Sequence, residues 1–339
     1  MEKLRVGVVG AGRISAGSHL PCLTAFPDVD LVLCEVDEGR LRTVADRFGI
    51  RETRSDYREL LASEVEAAVI ATPVSTHYPL AMEALRAGKH ILVEKPLAAT
   101  SAQAREIAAT ADRLGLAAMV GHTFQYNAAV NAMREVIASG ELGDIYYIHA
   151  TRVNLGLLQP DINVIWDLAP HDLSILLHIL GTDPVQVSAH GEVYVQTGRQ
   201  IQEVAYVTVY FPSSIMANLR LSWLDPVKIR RFTVVGSKKM LVYDDLADDK
   251  VIVYDKGVKV PAYSDTMTEF QMSYRHGSER AVPYIWQEPL KVECQSLVDW
   301  IQKGKKACSD AWMGVKVVQV LETAQKSLLN SGGRESIAL

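Results

Sequence analysis

The chain has 339 residues, of which 48% are apolar and 22% charged, with a formal net charge of −5. That length suits two domains with sizeable cores, and the balance is that of an ordinary folded protein rather than a disordered or fibrous one. A mildly acidic total excludes the basic footprint of a nucleic-acid binder, and no apolar run approaches membrane-spanning length, so neither nucleic acid nor membrane is expected as a partner.

In chain order, Leu4-Arg5-Val6-Gly7-Val8-Val9 is a short run rich in β-branched residues, which reads as a buried parallel strand over 4–9. It enters Gly10-Ala11-Gly12-Arg13-Ile14-Ser15 and then a helix to residue 26. A dinucleotide-binding turn needs a first glycine for a tight bend and a second so that backbone can approach a pyrophosphate. The helix start that follows presents free N–H groups and a positive dipole end. Gly10, Gly12, Arg13 and Ile14 are therefore candidate cofactor-binding residues, and Ser15 stands at the third, close-packing position. Glycine turns of this kind also occur with no ligand. The next strand, 31–35, ends at Glu35, 23 residues beyond Gly12, near where an acid would grip the ribose hydroxyls of NAD. A carboxylate there repels the extra phosphate of NADP, so NAD is expected, with Arg13 and Arg40 keeping NADP as the lesser alternative. Asp37 competes with Glu35 for the same role.

A helix over 40–48 stopped by Gly49, a helix over 56–62, a strand over 67–71 and a helix over 77–87 continue the alternation. A strand over 90–93, a helix over 101–114 and a strand over 117–120 complete it. This is the βαβ pattern of a doubly wound parallel sheet. Thr72-Pro73 and His77 follow one strand and Glu94-Lys95-Pro96 another, so all should line the C-terminal edge of that sheet, where ligands bind. Pro96 restricts Lys95 to extended conformations and so fixes its direction. Plain turn and cap chemistry is the alternative for Thr72, Pro73 and His77.

After a helix over 128–138 the texture changes. Runs at 145–154, 185–196, 203–211, 215–224, 229–235 and 239–244 read as strands, several with polar/apolar alternation, and long helices return only at 290–303 and 313–328. The fold class expected is an α/β doubly wound domain over 1–121, followed by an α+β domain over 122–339 with a large, mostly antiparallel open sheet. The stretch 255–285 has no clear period and reads as a long loop or a subunit contact. The four cysteines show no paired spacing and read as buried thiols, with no metal site. The first strand begins by residue 4, which leaves no room for a signal peptide, so the cytoplasm is expected.

The turn at Gly10, Thr72-Pro73, Glu94-Lys95-Pro96 and Asp167-xxx-His171 together resemble the glucose–fructose oxidoreductase / inositol dehydrogenase (Gfo/Idh/MocA) family, over essentially the whole chain. The resemblance implies a Rossmann domain and a substrate domain whose open sheet mediates homo-oligomerisation, as a dimer or tetramer. It also implies oxidation or reduction at one carbinol of a sugar or cyclitol, with Lys95, Asp167 and His171 as the catalytic set and Glu94 supporting Lys95. Ser15 is the departure.

The residues suit that chemistry. Removing hydride from C–H requires proton loss from O–H; histidine titrates near neutrality and a carboxylate can orient it. His171 is assigned as general base, Lys95 as orienter and alkoxide stabiliser, and Asp167 as support for His171 or a substrate ligand. Lys95 as the base is the alternative, and a helix cap and a core histidine are the structural alternatives for Asp167 and His171. Tyr126, Asn127, Arg152, Asn154, Asp161, Asn163 and Trp166 are candidate substrate contacts, each against an ordinary structural or surface role. The run from Arg152 to Asp172 is similar to members acting on nucleotide-linked hexoses, which points to C3 of a UDP-N-acetylglucosamine or its uronate. The alternatives are a free sugar or inositol, or a dinucleotide-binding regulator without catalysis.

Overall fold

The computed structural model describes residues 3–259 and 273–338. The chain divides into two compact units, one of Met1–Tyr126 with Gln287–Glu322, the other of Asn127–Trp286 with Thr323–Leu339.

The first unit is built on six parallel strands: β1 (Leu4–Val9), β2 (Val29–Cys34), β3 (Glu52–Arg54), β4 (Ala67–Ile70), β5 (His90–Val93) and β6 (Ala118–Val120). Their order is β3-β2-β1-β4-β5-β6. The order reverses between β1 and β4, which opens a crevice at the carboxyl ends of those strands, the topological switch point of a Rossmann sheet. Strands buried on both faces need continuous apolar runs, and Val6, Val8, Val69, Leu92 and Met119 are all fully buried. A π-helical stretch, Ser15–His19, follows the glycine turn and runs into α1 (Leu20–Leu23); then come α2 (Glu38–Phe48), α3 (Tyr57–Ala62), α4 (Val74–Arg86) and α5 (Ser101–Leu114).

α6 (Ala128–Ala138) and α7 (Val164–Leu180) belong to the second unit, and α8 (Pro289–Lys303) to the first. The sequence reading assigned 122–339 to one domain. By packing, α8 joins the first core instead, because Leu290, Cys294, Leu297 and Val298 form an apolar stripe buried with Val6, Leu20 and Leu33. The last helix, α9 (Ala311–Leu329), contributes residues up to Glu322 to the first unit and the remainder to the second.

The second unit carries a nine-stranded sheet: β7 (Ile145–Leu155), β8 (Gln186–Glu192), β9 (Val204–Tyr210), β10 (Met216–Ser222), β11 (Leu224–Gly236), β12 (Met240–Asp244), β13 (Val251–Lys259), β14 (Ser273–Ala281) and β15 (Glu335–Ser336). Their order is β14-β13-β12-β11-β7-β10-β9-β8-β15, antiparallel except where β10 runs parallel to β7. Strict alternation makes one face apolar: Ala205, Val207 and Val209 of β9 and Ala217, Leu219 and Leu221 of β10 are buried, as is most of α7, which packs on these strands. The other face presents Tyr147, Tyr206 and Met216, all exposed.

One expectation about the sheet changes. Of the stretch 255–285, residues 255–259 and 273–281 belong to β13 and β14, which pair antiparallel at one edge of the sheet, and residues 260–272 lie outside the described part. The edge pair is held by ion pairs, Arg275–Asp255 at 2.8 Å and Lys256–Glu279 at 3.1 Å, so no apolar alternation marks it in the sequence. In the same unit, α7 starts at Val164 and carries Pro170 inside it. Asn163 sets that start by accepting the N–H groups of Ile165 and Trp166. Among the described residues no helix is long and apolar enough to cross a membrane.

Candidate active site

The glycine turn is fixed by sterics. Gly10 has φ +98°, and a Cβ there would lie 2.5 Å from the carbonyl oxygen of Ala71, so β1 and β4 can meet only with glycine. At Gly12 a Cβ would meet nothing within 4 Å, leaving open space above the backbone. Arg13 and Ile14 begin the helix and are exposed. These features fit a dinucleotide pyrophosphate: a bare backbone approach beside a helix start. Ser15 is buried, and its hydroxyl has no partner.

Glu35 closes the turn from the neighbouring strand. Its Oε2 accepts the Ala11 N–H at 2.9 Å and its Oε1 the Asp37 N–H at 3.1 Å. Asp37 caps α2 by accepting from the Arg40 N–H, and the Arg40 guanidinium lies 3.5 Å from Glu35 and 3.9 Å from Asp37. Both acids stand at the end of β2; Glu35 is buried and Asp37 exposed.

The turns after β4 and β5 are tied together by His77. This buried ring contacts the Pro96 carbonyl through Nδ1 at 2.8 Å and the Thr72 carbonyl through Nε2 at 2.9 Å. Burial lowers its pKa, so the neutral ring donates to one of these carbonyls at a time. The sequence placed His77 beside cofactor; its nitrogens are spent on main chain, holding Thr72 and Lys95-Pro96 in register. Thr76 donates to the Thr72 hydroxyl at 2.7 Å, or to the Pro73 carbonyl at the same distance.

Glu94 is held on both oxygens, by His19 Nε2 at 2.8 Å and by the Lys95 N–H at 3.1 Å. Burial resists its ionisation, but the His19 hydrogen bond and the Lys95 ammonium outweigh that and set its pKa below the usual glutamate value. His122 is buried within reach of its charge, with neither ring nitrogen partnered among the described residues, and burial pushes its pKa down to about 3. Glu293, fully buried on α8, accepts the Thr123 hydroxyl at 2.8 Å, and its other oxygen has no partner among the described residues. Burial and then the charge of Glu94 raise its pKa well above the ordinary value, which favours the protonated acid. Sequence reasoning missed Glu293, although its spacing from Leu290 and Leu297 puts it on the apolar face of α8.

In the second unit, Asp167 and His171 lie one turn apart on α7. They are half-buried with Trp166 and Leu168, whereas the residues from Asp172 to Ile179 are buried, so carboxylate and imidazole share the open flank of this helix. Trp223, which the sequence did not single out, donates its indole N–H to Asp167 Oδ2 at 3.0 Å.

Several expected substrate contacts are occupied otherwise. Arg152 is buried against Asp172, with Nε and Nη2 both 2.7 Å from Oδ1, so its guanidinium faces the core. Asn163 caps α7 and donates to Gln202 and Gln325. Asn127 caps α6 by accepting from Ala129 and Val130. Tyr126, in the first unit, is buried with its hydroxyl on Ser309 at 2.9 Å. Asn154 is half-buried at the end of β7, and Asp161 is exposed on the loop before α7. Among the described residues no group of three or more His, Cys, Asp or Glu is arranged to hold a metal ion.

Comparison with known proteins identifies the family. Residues 4–122 match the model of the oxidoreductase family with an NAD-binding Rossmann fold, and residues 130–242 match the GFO/IDH/MocA C-terminal domain. A UDP-N-acetylglucosamine 3-dehydrogenase from Acidithiobacillus ferrooxidans is 30% identical over 260 residues, covering 76% of this chain and 79% of its own. The scyllo-inositol 2-dehydrogenase (NAD(+)) of Bacillus subtilis is 27% identical over 288 residues, covering 80% and 83%. A crystal structure of an oxidoreductase domain protein from Kribbella flavida shares the fold at a TM-score of 0.85 and 23% identity, covering 100% of both chains. The chain belongs to the Gfo/Idh/MocA family of oxidoreductases and carries its NAD-binding Rossmann domain.

Proposed function

We propose that the protein oxidises a ring hydroxyl of a nucleotide-linked sugar to the ketone with NAD, most specifically C3 of UDP-N-acetylglucosamine or its uronate. As a member of a family of sugar and inositol dehydrogenases it is an NAD(P)-dependent dehydrogenase acting on CH–OH. The observation that carries the residue assignment is the flank of α7 where Asp167 and His171, one turn apart, are both half-buried while Ala169, Pro170 and Asp172 are buried. Choice of sugar is supported by the 30% identity to the UDP-N-acetylglucosamine 3-dehydrogenase.

Gly10, Gly12 and the helix start at Arg13 and Ile14 would hold the pyrophosphate, with Glu35 and Asp37 at the ribose and Thr72, Pro73, Glu94 and Lys95 toward the nicotinamide. Bound there, the nicotinamide supplies the hydride acceptor. Arg40 is already flanked by the carboxylates of Glu35 and Asp37, which supports NAD over NADP. The Lys95 ammonium orients the hydroxyl and stabilises alkoxide charge; His171 takes the hydroxyl proton; Asp167 orients His171 or holds a second hydroxyl. Trp166, Asn154 and Asp161 remain the proposed sugar contacts. Arg152, Asn163, Asn127 and Tyr126 act on the site through structure. The open face bearing Tyr147, Tyr206 and Met216 is the proposed surface for a homo-oligomer.

Purified protein supplied with NAD+ should form NADH with UDP-N-acetylglucosamine or its uronate and not with myo-inositol. Reduction with myo-inositol alone would assign the inositol branch; no reduction with any sugar, together with tight NAD binding, would leave a dinucleotide-binding regulator.

A further inference from the structure

Trp223 sits at the corner between β10 and β11 and is 1% exposed. Its main chain is fixed on both sides, since its N–H donates to the Glu203 carbonyl at 3.0 Å and its carbonyl accepts the Gly156 N–H at 2.9 Å. A Cβ on Gly156 would come within 3.1 Å of the indole, so glycine lets the end of β7 pass against the ring. The indole N–H cannot be left unpaired at this depth, and its acceptor is Asp167 Oδ2 at 3.0 Å, 56 residues away in sequence. Asp167 itself lies on the partly open flank of α7, where burial alone does not fix the direction of a carboxylate. A buried, immobile donor on one oxygen fixes where the second oxygen points.

We propose that Trp223 is a positioning residue for the dehydrogenase reaction, its buried indole N–H locking the Asp167 carboxylate in the orientation from which it serves His171 or the sugar. This rests on the role of Asp167 proposed above. Trp223→Phe keeps an aromatic ring and removes the donor. Made alone and in an Asp167→Asn background, it is assayed by NAD+ reduction with UDP-N-acetylglucosamine and with myo-inositol. Alone, it should lower kcat by roughly tenfold or more while the KM for NAD+ stays within about twofold; in the Asp167→Asn background it should lower kcat no further.

An indole with a purely structural role would lower kcat by the same factor in both backgrounds, and that result, or an unchanged kcat in the single variant, overturns the proposal. Wild type inert with both sugars, or Asp167→Asn as active as wild type, would sink the reading of Asp167 and the proposal with it. If Trp223→Phe does not fold, the folded wild type still decides. The Trp223 indole N–H resonance should move upfield in Asp167→Asn, and a resonance that stays in place overturns the proposal.

Discussion

Glu293 in the first unit and Glu203 in the second both have side chains closed off from solvent, yet their surroundings push their pKa values in opposite directions. Glu203 accepts three main-chain N–H groups, from Tyr194 at 2.7 Å, Val195 at 3.4 Å and Gln196 at 2.6 Å. Burial works against its charge, but these donors outweigh it and lower its pKa. Among the described residues Glu293 has one donor, Thr123, and the charge of Glu94 acts on it, so burial prevails and its pKa is raised. Both donors and depth separate the two: three donors outweigh burial at Glu203, which fewer protein atoms surround, and one donor does not at the more deeply embedded Glu293. The two serve different ends. Glu203 organises residues 194–200, from which Gln196 and Arg199 hold the carbonyls of Gln159 and Pro160 in the loop before α7. Glu293 ties α8 to Thr123 and lies within reach of the charge of Glu94.

The largest effect should come from Glu203→Ala. Loss of the charged acceptor leaves three N–H groups without it, and unfolding in urea should show a cost of about 3 kcal/mol at pH 7. Because its folded pKa is depressed, the stabilisation is present above the unfolded glutamate value and is lost as pH falls through the folded one; the gap from wild type should narrow below about pH 4. A gap that does not change with pH would break the contrast.

Glu293→Gln should behave in the opposite sense. Its folded pKa is raised, so the wild type holds the full stabilisation below the unfolded value of about 4.3 and loses it as pH rises toward the folded one. Thermal unfolding should find variant and wild type alike near pH 4, with the variant increasingly the more stable at higher pH. A wild type that gains on the variant as pH rises would show that Glu293 is ionised. Smallest is Thr123→Val, which removes the hydrogen bond to Glu293 and should cost about 1 kcal/mol in the same measurement.

The two units also differ in how much of them the sequence reveals. Gly10 is legible because a steric demand is written in a single residue, and the alternation of strand and helix that places Lys95 at the sheet edge is local too. Asp167 and His171 are legible as a pair through their spacing. What lies around α7 is not: Arg152 finds Asp172 20 residues on, Trp223 reaches back 56 to Asp167, and Asn163 reaches Gln325 across 162. A polar side chain looks like a ligand when its partner is remote in sequence, which is why Arg152 and Asn163 read as sugar contacts. The edge strands β13 and β14 were hidden for a related reason, since cross-strand charges replaced the apolar alternation that marks a strand.

Lys95→Met and His171→Ala, each titrated with NAD+ and then assayed with UDP-N-acetylglucosamine, test the catalytic assignment most directly. Each should bind NAD+ close to wild type and lose roughly 10²–10⁴-fold in kcat. Turnover at the wild-type rate in either variant would contradict it.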